Sequence, residues 1–185
     1  MSVDPDINNQ KGDQLMLSDN LVNAINDQIQ FEHYSAFIYK SMQAFFETED
    51  LPGMANWMNI QFQEEMSHAE KMFDFVCETG NRVVLQGMDT PHRDFASPLE
   101  VFELALEHEQ IVTSRINALM DLAQQEKNHG AQIFLQWFVT EQIEEEATAN
   151  HIIAKLKRVE GDGRGLMMID QELAQRTFVP IAAEN

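Results

Sequence analysis

The sequence predicts an all-α protein: an antiparallel four-helix bundle with one long crossover and a short fifth helix at the C-terminus. Three observations point to it. Eight glycines and five prolines make about 7% of the 185 residues, where average globular chains carry roughly 12%, so a turn-rich sheet protein is disfavoured. Four long stretches, 13–51, 54–79, 99–129 and 131–160, contain neither residue. Within each stretch apolar side chains recur three and four apart, the period of a helix that buries one face.

The first helix opens after Ser18, whose hydroxyl suits an N-cap, and its inward stripe reads Leu21, Ile25, Ile29, Glu32, Ala36, Tyr39, Gln43 and Phe46. Pro52 suits the opening turn of the second helix, with the stripe Met54, Met58, Gln61, Glu65, His68, Met72 and Phe75. Ser97 before Pro98 starts the third, whose stripe is Leu99, Phe102, Leu106, Glu109, Thr113, Ile116, Met120 and Ala123. The fourth reads Ala131, Phe134, Phe138, Glu141, Glu145, Thr148, Ile152 and Val159, with Lys155, Lys157 and Arg158 complementing the dipole in its last turn. Gly80, Gly130 and Gly161 stand where left-handed C-terminal residues are expected. Leu166 to Arg176 carries the apolar pattern of the fifth helix. The four long helices should each run about 40 Å.

Short linkers at 49–52 and 128–131 make antiparallel hairpins. The linker from Asn81 to Ser97 reaches at most about 56 to 61 Å, enough to travel the length of a helix, so the second and third helices should run parallel. One domain is expected over 18–180, with the fifth helix at about 166–176, preceded by a flexible polar tail at 1–17.

Twelve basic against 31 acidic residues give a formal charge of −19, which excludes a nucleic-acid binder working by bulk charge. Cys77 is the single cysteine, so no intramolecular disulfide forms and a reducing compartment is expected. The N-terminus lacks the basic start and apolar run of a signal peptide, and no stretch approaches the roughly 18 apolar residues of a membrane span. The expectation is a cytoplasmic protein that partners neither membrane nor nucleic acid.

Every core stripe is interrupted by acid. Glu32, Glu65 with His68, Glu109 and Glu145 lie near the midpoints of their helices, and a midpoint keeps its level whichever way a helix runs. A single such glutamate is ordinarily solvated and a single histidine ordinarily a hydrogen-bonded core residue. Four seams failing at one level with one residue type is another matter, because a buried carboxylate must be paired, protonated or bound to metal. No Lys or Arg stands in these stripes. Carboxylate oxygen with one imidazole suits iron, and five ligand residues suit two ions. The layout of a Glu from each of two helices with Glu-x-x-His is that of ferritin-like di-iron bundles.

The chain resembles the bacterial non-haem ferritins over about residues 18 to 176, on QFEHYSAFIY, QEEMSHAEKMFDFV, HEQ at 108–110 and FLQWFVTEQIEEEA at 134–147. The resemblance implies an iron-storage protein with ferroxidase activity, a cytoplasmic homo-oligomeric cage of 24 subunits that oxidises Fe(II) with dioxygen or hydrogen peroxide at a di-iron centre and stores Fe(III) as mineral. By that likeness the first ion takes Glu32, Glu65 and His68, and Glu65 bridges to a second held by Glu109 and Glu145, with Gln142 nearby. Glu64, Glu141 and Glu144 match a third iron site on the cavity side. Tyr39 matches a tyrosine that serves as an additional electron donor, a hydrogen-bonded core phenol being the alternative; Trp137 is weighed beside it, against simple packing.

One departure stands out: Thr148 occupies the place of a second histidine, which implies a more loosely held second ion. That argues against a haem-binding bacterioferritin, and no haem is expected, although Met66 falls where that family binds haem. A non-storing di-iron oxidase or peroxidase is the other alternative; its cysteine-rich module is missing. Glu126, Asn128 and His129 match the lining of three-fold pores, and His33, His92, His108 and His151 are taken as surface or supporting groups.

Overall fold

The computed structural model describes residues 17–181. Five helices form there, and among the described residues no strand: α1 Asp19–Thr48, α2 Pro52–Glu78, α3 Pro98–Gln125, α4 His129–Arg158 and α5 Gly163–Leu173. Local chemistry sets their ends. The Ser18 and Ser97 hydroxyls accept the N–H groups of Leu21 (3.1 Å) and Glu100 (3.2 Å), relieving amides that the first turn leaves unpaired. Gly80 (φ 78°) and Gly161 (φ 77°) take the left-handed conformation as expected.

Two ends differ from the sequence reading. Gly130 does not close α3; Lys127 takes the left-handed turn (φ 55°), and Asn128 caps α4 by accepting from Ala131 N at 3.0 Å, which puts Gly130 inside the first turn of α4. The fifth helix begins at Gly163 and ends at Leu173 instead of spanning 166–176. Asp162 caps its start by accepting from Arg164 N at 3.0 Å, and Asn56 of α2 donates to the carbonyls of Leu173 (3.3 Å) and Arg176 (3.1 Å) at its end.

The crossover lies along α1. Asn26 accepts from Val84 N at 2.9 Å, Gln30 donates to Gly87 O at 2.7 Å, Ser41 donates to His92 O at 2.6 Å, and the Phe45 and Phe95 rings meet at 5.3 Å. The linker thus climbs from Asn26 to Phe45, about 28 Å of helix rise, and α3 starts where α1 ends. Both α2 and α3 therefore oppose α1 and run parallel to each other. α1 pairs with α2 and α3 with α4, while α5 packs on α2 and α4. No helix among the described residues is long and apolar enough to cross a membrane.

The core is split in two. One apolar cluster gathers Met42, Phe46, Met54, Trp57, Phe102 and Leu156; the other gathers Leu21, Ile25, Met72, Ile116, Leu135 and Phe138. Apart from Asn26 and Gln28 on α1, the buried polar residues of the long helices fall between the two. The inward faces also turn slightly from the expected stripes. Met42 is buried in place of Gln43, Val101, Ala105, Val112 and Leu119 in place of Leu99, Leu106, Thr113 and Met120, and Gln142 and Ala149 in place of Glu141 and Thr148. Leu17, expected in the tail, is buried in the second cluster; residues 1–16 of that tail lie outside the described residues.

Candidate metal centre

The four long helices deliver Glu32, Glu65, His68, Glu109, Gln142 and Glu145 to the polar layer, all of them buried. Each sits one helical turn or so from apolar neighbours that anchor its backbone on both sides, so the layer is held by the two clusters and not by its own charges. Ligand atoms of Glu32, Glu65 and His68 all lie within 4.8 Å of one another. His68 Nδ1 stands 3.6 Å from Glu65 Oε2, and the His68 ring lies edge-on to Trp137 at 5.5 Å.

Hydrogen bonds divide the carboxylates into two kinds. Glu32 Oε1 accepts from Gln28 Nε2 at 2.9 Å, but Glu32 Oε2 and Glu65 Oε2 are buried without any partner. Native interiors rarely tolerate that, and such oxygens are met by protonation, by water or by an ion. Glu109 is satisfied instead: Tyr39 donates to its Oε1 and Gln142 Nε2 donates to its Oε2 at 3.0 Å. Glu145 Oε2 accepts from Gln61 Nε2 at 2.9 Å. Glu109 and Glu145 share the layer with the triad without joining its tight group.

Crowding and burial raise the acids. Burial, then the nearby Glu109 and Glu32, holds the Glu65 carboxyl well above its ordinary range. Burial pushes Glu109 up to about 7 against the opposing hydrogen bonds from Tyr39 and Gln142, and pushes Glu145 up to about 8 with help from Glu109. The Tyr39 phenol rises too, by burial and then by the Glu109 charge. Four carboxyls in one buried layer favour a positive charge, and among the described residues no Lys or Arg lies within that layer.

The acids of the expected third position are less gathered. Glu64 is half-buried and ion-paired with Arg176 at 2.7 Å, and burial still raises its carboxyl despite that cation. Glu141 is half-buried and close enough to Glu64 for their charges to interact, whereas Glu144 is exposed. Met66 is 37% exposed. Glu126 accepts from Ser18 Oγ at 2.5 Å and Asn128 caps α4, so both have roles within the subunit.

Several supporting residues carried no signal in the apolar pattern. Gln28 belongs to no stripe, and Arg176 lies beyond α5. His108, grouped above with surface or supporting histidines, is buried, bonded to Ser35 Oγ at 2.7 Å and stacked on Phe31, and burial lowers it to about 4.

The model of the ferritin-like domain matches residues 22–159. The chain belongs to the ferritin-like family. It is 45% identical to the bacterial non-heme ferritin of Bacteroides fragilis (strain 638R) over 161 residues, which cover 87% of this chain and 100% of that one. Identity to the bacterial non-heme ferritin of Staphylococcus aureus (strain MRSA252) is 37% over 163 residues, covering 88% and 98%. Among solved structures, an open pore ferritin from the hyperthermophilic archaeon Archaeoglobus fulgidus is similar with TM-score 0.86 and 47% identity, covering 87% of this chain and 99% of that one. These relatives match it along nearly their whole length, and the span of the family model contains Glu32 to Glu145.

Proposed function

We propose that this protein stores iron and has ferroxidase activity: it oxidises Fe(II) with dioxygen or hydrogen peroxide and holds the Fe(III) as mineral in a hollow homo-oligomeric cage, of 24 copies by the family likeness, in the cytoplasm. The observation that carries this reading is the pair of partnerless buried oxygens, Glu32 Oε2 and Glu65 Oε2, beside His68. Iron is the substrate and cargo of these groups. Glu32, Glu65 and His68 take one Fe(II); Glu65 is shared with a second, which Glu109 and Glu145 hold with Gln142 beside it. Glu64, Glu141 and Glu144 receive iron on its way to the mineral; a third Fe(II) there and Tyr39 supply one electron each, and these two electrons with two protons take hydrogen peroxide on to water.

The electron count constrains the chemistry. Two Fe(II) give up one electron each, and these two electrons with two protons take dioxygen to hydrogen peroxide. Carboxyls raised toward neutral pH shed their protons as iron arrives, since a metal ligand must be deprotonated. With Thr148 where a second histidine would ligate, the second ion is held by oxygen alone and leaves more readily, as a store requires. No haem role is assigned to Met66.

The test is anaerobic addition of two Fe(II) per subunit followed by air. Oxygen uptake with soluble ferric mineral retained in the cage supports storage. Turnover without retained mineral favours a non-storing oxidase or peroxidase, a Soret band on purified protein favours the haem-binding alternative, and no oxygen uptake removes the reading.

A further inference from the structure

Two arginines reach the carboxylate layer by the same kind of route. Arg115 of α3 donates from Nε to Gln28 Oε1 at 2.8 Å and from an Nη to Asp27 O at 3.1 Å, with its guanidinium carbon 4.2 Å from the Phe31 ring centre. Gln28 then donates from Nε2 to Glu32 Oε1 at 2.9 Å. Arg176 donates to Gln61 Oε1 and, at 2.7 Å, to Glu64 Oε2, and lies 4.8 Å from the Trp57 ring centre. Gln61 then donates from Nε2 to Glu145 Oε2 at 2.9 Å. Both glutamines are buried.

A buried amide beside a carboxylate has two orientations, one of which would turn oxygen toward oxygen. A guanidinium offers only donors, so it holds the amide carbonyl toward itself and leaves the NH2 group for the carboxylate. Stacking on an aromatic ring fixes the plane of that guanidinium as well. The consequence reaches the site: one oxygen of Glu32 is occupied, and the other, Oε2, is left for an ion beside Glu65 and His68. In Glu145 the occupied oxygen is Oε2, which leaves Oε1.

We infer that Arg115 and Arg176 are positioning residues, each locking a buried glutamine so that Glu32 and Glu145 offer one fixed oxygen to iron. Resting as it does on the proposed function, this deepens it by giving each half of the centre its own orienting arm. Arg176 adds a dependence on assembly. It follows α5 directly, and its carbonyl is held by Asn56, so the arm to Glu145 is complete only once α5 has docked on α2. A chain interrupted before Arg176 keeps the first half ordered and loosens the second.

Co(II), stable in air, tests this on the full-length assembled protein, read by its visible ligand-field spectrum and by titration calorimetry. Arg115→Met should weaken one of two Co(II) binding steps by about tenfold and Arg176→Met the other, as removal of outer groups around metal ligands typically does. Gln28→Leu should match Arg115→Met, and the double variant should be no weaker than Gln28→Leu alone, because the arginine acts only through the amide. Arg115→Lys, which keeps a donor for Gln28, should restore most of the affinity. If Arg176→Met does not assemble, the Arg115 and Gln28 cycle alone decides. A merely structural arginine would lower the melting temperature and leave both binding steps alike; wild-type affinity in Arg115→Met, or additive losses in the double variant, overturns the inference while a two-ion wild type keeps the proposed function standing. A wild type that takes up no Co(II) in the layer overturns both.

Discussion

The phenol of Tyr39 donates to one carboxylate oxygen of Glu109, and Gln142 occupies the other at 3.0 Å. Each Glu109 oxygen therefore already accepts one hydrogen bond and has a lone pair to spare, whereas Glu32 and Glu65 each keep a buried oxygen without a partner. A phenol in that position can do two things: stabilise the carboxylate, and pass an electron inward. Tyr39→Phe separates them. Losing a hydrogen bond to a charged group should cost about 1.5 to 3 kcal/mol, seen as a lower melting temperature of the metal-free protein. Oxidation of the first two Fe(II) should persist, since their two electrons suffice to reach hydrogen peroxide, and more peroxide should escape. A peroxide assay that finds no increase would remove the donor role and leave only the structural one.

The raised carboxyls set a pH dependence whose sign is fixed. Glu109 and Glu145 titrate near 7 and 8 in the folded chain, both lifted chiefly by burial, against about 4.3 when unfolded. Between those values the folded state binds more protons, so the stability of the metal-free protein falls as pH rises from about 4.5 to 8 and then levels off. Metal reverses the trend, because ions displace those protons and bind more tightly as pH rises. Melting curves from pH 5 to 8.5, with and without Co(II), should cross over in slope. Self-repulsion of a −19 chain also weakens it at high pH, so the decisive comparison is Glu145→Gln: its metal-free slope should flatten at the upper end of the window, and an unchanged slope contradicts the assignment.

Glu145→Ala should remove the second ion and slow Fe(II) oxidation by about one to two orders of magnitude, the range that loss of groups supporting a metal site typically costs. The cage should still assemble, because Glu145 contributes a single hydrogen bond, from Gln61, and Gln61 keeps Arg176 as a partner. Calorimetry should count one tight Co(II) per subunit where the wild type should take up two. Unchanged oxygen consumption would place the second ion elsewhere.

What was legible in the sequence, and what was not, follows from the range of each signal. Helix ends declared themselves where the cap is local, as at Ser18, Ser97 and Gly161, and misled at Gly130, because a glycine two residues after Asn128 looks like a stop until Asn128 is seen to be a start. Glu32, Glu65, Glu109 and Glu145 stood out because an acid in an apolar stripe is conspicuous. The α3 stripe holds at Phe102, Glu109, Ile116 and Ala123 and misses at the positions between them, since Leu99, Leu106 and Met120 are as apolar as the buried Val101, Ala105 and Leu119, and only packing decides between neighbouring faces. Arg176 and Arg115 could not be found from pattern at all. A polar contact between residues more than a hundred positions apart, such as Arg176 with Glu64, leaves no periodicity behind.

The docking of α5 on α2 gives the last prediction, at Gly53. A Cβ there would lie 1.7 Å from the Asp170 carbonyl oxygen, which is backbone and cannot swing away. At the same contact Asp170 Oδ1 accepts the N–H of Met54 at 2.8 Å, standing in for the side-chain cap that α2 lacks. Gly53→Ala must therefore push α5 off, lose that cap (about 1 kcal/mol), and begin to expose Ile169 and Leu173, each worth roughly 1.5 to 3 kcal/mol when fully buried. Asp170→Asn, which keeps an acceptor, should stay close to wild type. The helix displacement should also pull Arg176 from Gln61, so Gly53→Ala should weaken the second Co(II) step and spare the first. Equal weakening of both would mean that α5 supports the bundle as a whole and has no separate hold on Glu145.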